Sequence, residues 1–153
     1  MQRVLEYKQV QARHKLAETE KRPSGVLYER GVDDKDFGII RSKGDRALFN
    51  MDTAMLKRKL GAPAERAVTG FLLIISIKAK DFATEMTSVN VQQKDFHGGL
   101  SIEHEHIDNN RVVRDMLVCH GFVPEKLPTD EDIRKAERRL ASEAKKMLPK
   151  NKK

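Results

Sequence analysis

The chain has 153 residues, room for one domain with a modest core, and 39% of them are apolar against 35% charged. Apolar residues recur in ordered stripes, which excludes a disordered chain, and the longest apolar run, "FLLIISI" at 71–77, is far shorter than the roughly 20 residues that span a bilayer. The net charge of +7 belongs to the two ends, +3 in residues 1–22 and +4 in residues 129–153, while the 106 residues between carry fifteen bases and fifteen acids.

The opening stretch "MQRVLEYKQVQARHK" has no apolar signal-peptide core, so a soluble, cytoplasmic protein with no membrane contact is expected. Residues 2–21 read as a polar helix whose sparse apolar positions, Val4, Leu5, Val10, Ala12 and Leu16, need a neighbour to pack on. Pro23 and Ser24 break it. Ser24 is placed to cap a short helix over 25–29 that Gly31 ends, and Asp33 and Asp34 to start another around "DKDFGII". Gly44 and Asp45 mark a turn. Thr53 opens a helix to Leu60, closed by Gly61, and Pro63 suits the first turn of the next.

The greasiest segment, "RAVTGFLLII" at 66–75, reads as a buried helix because no second strand signal exists to pair with it. Ser76 is read as the cap of a helix "IKAKDFATEMTSVNV", in which Ile77, Phe82, Met86 and Val89 or Asn90 approximate one face. After the Gly98-Gly99 break, Ser101 is read as the cap of a helix to His120 with Ile102, Ile107, Val112, Val113, Met116 and Leu117 as its apolar residues. Gly121 ends it, and "VPEKLP" reads as a rigid extended link. Thr129, with Asp132 three residues on, opens the last helix, whose stripe Ile133, Ala136, Leu140, Ala144 and Met147 is the cleanest in the chain.

Cys119, the single cysteine, rules out an internal disulfide and reads as a buried, inert thiol; His120 beside it points elsewhere on a helix and makes no dyad. His104 and His106 lie on different sides of a helix, with His97 and His120 placed separately, so no metal site is expected. The acidic cluster Glu29, Asp33, Asp34 and Asp36 is explained by capping and the helix dipole rather than by magnesium or acid–base chemistry. Asn109, Asn110, Arg111 and Arg114 would read bases if their helix lay in a groove, but the preceding break is too long for a helix–turn–helix. Residues 41–59 carry six bases, Arg41, Lys43, Arg46, Lys57, Arg58 and Lys59, against two acids, beside a glycine at 44. They are the best internal candidates for contact with a nucleic acid or an acidic protein.

Three stretches, "SGVLYERGVDDKDFGIIRSKGDRALF", "IKAKDFATEMTSVNV" and "IEHEHIDNNRVVRDMLVCHGFVPEKLPTDEDIRKAERRL", together resemble the C-terminal half of the bacterial and phage DNA-damage-inducible protein D family, over roughly residues 24–145. The resemblance implies a DNA-damage (SOS) response setting, close to DNA repair and recombination. It also implies a role in modulating the recombinase filament on single-stranded DNA, with no catalytic residue and no cofactor to carry over. Family members usually begin with a module like the phage antirepressor BRO amino-terminal domain. This chain starts in what resembles the helical connector after it, and so reads as a fragment, a truncated frame or a split gene.

The expected architecture is all-α: a compact bundle of about six short helices, with an extended polar connector helix at 1–22, a helical domain at 23–148 and a loose basic tail at 149–153. The expected function is a non-enzymatic response module that contacts a protein partner, the recombinase filament. The alternatives are direct nucleic-acid binding through the basic ends, a metal-dependent nuclease using the acidic cluster, and an antirepressor-associated helical scaffold or dimerisation arm. The oligomeric state stays open.

Overall fold

The computed structural model describes residues 2–19 and 23–147. Within them lie seven α-helices and no strand: α1 Gln2–Thr19, α2 Gly25–Glu29, α3 Asp34–Phe49, α4 Thr53–Leu60, α5 Ile74–Gln93, α6 Gly99–Cys119 and α7 Ile133–Met147. Short 3₁₀ turns stand at Val68–Phe71 and Pro124–Lys126. The all-α bundle expected from the sequence is the fold. No helix among the described residues is long and apolar enough to cross a membrane. The predicted tail at 149–153 and the end of the first predicted helix, residues 20–21, lie outside the described residues.

Local signals set many of the helix ends. Ser24 Oγ accepts from Leu27 N at 3.4 Å, and Asp33 from Asp36 N at 2.8 Å, so the acidic cluster opens α3 as a cap. The cap of α4 is Asp52, which accepts from Met55 N at 2.9 Å; Thr53, predicted to open that helix, is its first residue. Gly61, at φ 71°, closes α4 in the left-handed conformation.

The predicted turn at Gly44–Asp45 does not exist. α3 runs through it to Phe49 and ends at left-handed Asn50. Gly44 is there for close approach: a Cβ on it would lie 2.6 Å from the His106 ring and 3.1 Å from Asn110 Nδ2 on α6. α6 therefore packs closely against α3, and on its other side against α5. Two apolar clusters flank these helices. The larger includes Leu16, Leu48, Phe49, Leu56, Phe71 and Val113, and the smaller Leu27, Val32, Ile40, Val91 and Ile102.

The greasy segment is not a helix. Arg13 on α1, itself 3% exposed, donates to the Gly70 carbonyl and to Glu131 O, diverting an acceptor that a helix would use. Val68, Phe71 and Leu72 fill the core from a 3₁₀ turn instead, and Pro63 sits in the irregular link before it. α5 starts at Ile74, so Ser76 is buried inside the helix rather than capping it. α6 starts at Gly99, and Ser101 donates back to His97 O at 2.8 Å from its first turn. α7 starts at Ile133: Asp132, not Thr129, holds the free end by accepting from Arg134 N at 3.0 Å. Its stripe is half right, with Ile133, Ala136 and Leu140 buried but Ala144 and Met147 exposed. "VPEKLP" is not fully extended, because its 3₁₀ turn brings Glu125 onto Arg114 at 2.6 and 2.9 Å.

Two such forks brace the bundle: Arg114–Glu125, and Arg66–Asp132 at 2.5 and 2.6 Å. Hydrogen bonds from Arg114 and Arg66 hold the Glu125 and Asp132 carboxyls below their ordinary values, 4.5 and 3.8. The sign follows from a depressed folded value: the stabilisation is complete above the unfolded-state values and is lost as pH falls through the folded ones. Urea unfolding near neutrality and near pH ~3 should show a larger acid loss for the parent than for E125Q/D132N. Equal losses would contradict the assignment.

Candidate functional site

The inner faces of α5 and α6 are polar. On α5 the buried row is Ser76, Lys80, Ala83, Thr87 and Val91, spaced at three and four residues. Phe82 and Val89, expected inside, are 56% and 46% exposed. On α6 the buried residues are Ile102, Glu105, Asn109, Asn110 and Val113, while Val112 and Met116 face out. A search for apolar periodicity misses much of these rows, because Lys80, Thr87, Glu105, Asn109 and Asn110 interrupt the apolar members Ala83, Val91, Ile102 and Val113.

These groups satisfy one another, as buried polar groups must. Asp45 on α3 accepts from Lys80 Nζ at 2.5 Å and from Thr53 Oγ1 at 2.6 Å. Thr87 Oγ1 donates to Ala83 O at 2.9 Å, accepts from Asn109 Nδ2 at 3.1 Å and lies 2.8 Å from His106 Nδ1. With its proton committed to Ala83, Thr87 receives the Nδ1 proton of His106, and Nε2 of that ring faces Asn110 Nδ2 at 3.3 Å as an acceptor. Asn110 Nδ2 also donates to His106 O at 2.8 Å. Further along α6, Glu105 accepts from Asn90 Nδ2 at 2.7 Å and Lys94 Nζ at 3.2 Å.

A pocket of about 160 Å³ opens onto this network. Leu16, Leu27, Phe37 and Ile40 form apolar walls; Asp45, Lys80, Thr87, His106 and Asn110 supply the polar part. Three separate stretches of the chain contribute: residues 24–49 give Asp45, residues 77–91 Lys80 and Thr87, and residues 102–140 His106 and Asn110. The sequence alone gave no sign that they meet.

Five of the six candidate bases divide between two grooves. Arg41, Lys57 and Arg58 line a cleft of about 520 Å³ between α3 and α4, with Gly38, Ala54, Ala62 and Ala64. Lys57 Nζ donates to Ala64 O at 2.8 Å, and Arg41 lies 5.9 Å from the Phe37 ring centroid. Lys43 and Arg46 face the other way, into a groove with Asn50, Ile107, Arg111 and Arg114. The division follows from helix geometry: Lys43 and Arg46 are three residues apart and share a side, whereas Arg41 and Lys43, two apart, point about 160° away from each other. Lys59 is exposed on α4, and its charge adds to the lowering of the Glu125 carboxyl.

The remaining candidates are placed plainly. Asn109 and Asn110, 6% and 3% exposed, are turned into the protein and cannot reach into a nucleic-acid groove, while Arg114 is held by Glu125. Cys119 is exposed, not buried, because the inner row of α6 passes it by. His104 is exposed and His106 is turned inward, and no group of three metal-ligating side chains lies together among the described residues. No family model, curated protein or solved structure matches the chain.

Proposed function

We propose that the chain is a non-enzymatic, cytoplasmic DNA-damage-response module of bacteria or phage that modulates the recombinase filament on single-stranded DNA through protein contacts. The family resemblance supplies the setting, and the α3–α4 cleft supplies the surface. The carrying observation is convergence: Arg41 on α3 and the Lys57–Arg58 pair on α4 line one cleft. Its small side chains, Gly38 and three alanines, let an incoming segment approach the helices closely while the cations engage its acidic groups.

The second groove has carboxylates of its own beside it. Lys43 pairs with Glu103, Arg111 with Asp108 and Arg114 with Glu125, so three of its four cations already face a carboxylate. A cation that is already paired adds little long-range field for a phosphate chain or an acidic segment.

The test is the double charge reversal K57E/R58E, both on α4. It should leave helicity and the melting transition close to the parent's and weaken binding to recombinase-coated single-stranded DNA by roughly tenfold or more. A folded double variant that binds as the parent does would sink the reading.

A further inference from the structure

We infer that the pocket between α3, α5 and α6 binds a neutral nucleobase or nucleoside. The site shares only Arg41 with the α3–α4 cleft and uses none of Lys57 and Arg58, so this inference does not depend on the filament reading. Size sets the first limit. About 160 Å³ holds a single planar ring system, since an apolar cavity of roughly 150 Å³ takes up benzene. Leu27, Phe37 and Ile40 give the flat apolar walls that such a ring needs.

Charge sets the second limit. Lys80 and Asp45 neutralise each other at 2.5 Å at the edge of the pocket. An anionic head would meet the Asp45 carboxylate and a cationic one the Lys80 ammonium, so the fitting head is uncharged. It must still offer donors and acceptors. The internal hydrogen bonds of Asn110 run through Nδ2, which leaves its carbonyl oxygen to accept from an exocyclic amine. The exocyclic amines of adenine, guanine and cytosine are such donors. An apolar ring alone would leave that oxygen unmatched.

The rim sets the third limit. Asp81 and Glu85, one turn apart on α5, stand there with Thr84 and Ser88, and Arg41 offsets one of the two negative charges. The carboxylates accept from sugar hydroxyls but repel a phosphate. The site therefore prefers nucleosides to nucleotides.

The test is a titration of the isotope-labelled chain, followed by NMR, with adenosine, guanosine, cytidine and uridine, and with their 5′-monophosphates. At least one nucleoside should produce saturable shifts at the Asn110 side-chain amide and along α5. Its monophosphate should bind roughly tenfold more weakly, and D81N/E85Q should narrow that gap. Thr84→Trp, at an exposed rim position, should preserve the fold and abolish the shifts. The inference is overturned by any of four results: no saturable shift with any nucleoside, a monophosphate binding as tightly as its nucleoside, unchanged binding in folded Thr84→Trp, or saturation of the same signals by arginine amide and not by nucleosides. The last would make the pocket a socket for a partner's basic side chain.

Discussion

Lys80→Met is expected to destabilise the chain by about 3–5 kcal/mol, the largest loss of any single substitution considered. Both partners are buried, with side chains 7% and 4% exposed, and Nζ stands 2.5 Å from Asp45 Oδ1. Methionine nearly matches lysine in volume, so packing changes little while the Asp45 carboxylate loses its counter-charge. Thr53 Oγ1 remains as a donor to Oδ2 but brings no charge. The double variant D45N/K80M removes both charges and should recover a large part of the loss, because a neutral amide can keep the Thr53 hydrogen bond. Urea unfolding of the four proteins in the cycle measures the coupling. Strictly additive losses would show that the two charges do not depend on each other.

The second large effect is a contrast within one helix. Gly44→Ala should destabilise by about 1–3 kcal/mol, whereas Gly38→Ala should stabilise by about 0.5–1 kcal/mol. Both glycines lie in α3, and alanine removes the same backbone entropy from each in the unfolded chain. At Gly38 the new Cβ meets nothing within 4 Å. At Gly44 it lands 2.6 Å from a His106 ring pinned between Thr87 and Asn110, so the ring cannot swing aside without breaking two hydrogen bonds. Thermal or urea unfolding of the two variants reads the signs directly. Two stabilised variants would mean that α3 and α6 do not approach as closely as described.

Gly44 also shows where sequence reading stops. A glycine beside an aspartate, between charged residues, looks like a turn; only the helix that crosses behind it reveals a close approach. The caps at Ser24 and Asp33 and the stop at Gly61 were legible because their partners lie within a few residues. The inner row of α5 was not, since Lys80 and Thr87 carry no hydrophobic signal and find their partners on α3 and α6. For the same reason Asn109 and Asn110 looked like exposed readers of bases. The density of basic residues over 41–59 was legible along the chain, but the division of those cations between two grooves depended on α3 continuing through Gly44. With a turn there, Arg41, Lys43 and Arg46 would have formed one patch.

The two surfaces have different chemistry. The α3–α4 cleft gathers cations from two helices without a carboxylate in its lining, while the inner pocket balances its charges and closes around a ring-sized volume. A protein contact at the first and a neutral heterocycle in the second can be tested separately, because K57E/R58E leaves the pocket untouched and Thr84→Trp leaves the cleft untouched.

The central claim is that this chain acts on the recombinase filament through protein contacts. Its most direct test is binding of the chain to single-stranded DNA, bare and recombinase-coated, at two salt concentrations. The account predicts binding to the coated strand and little to the bare one. Strong binding to bare DNA that collapses as salt rises would contradict it and assign the contact to phosphates.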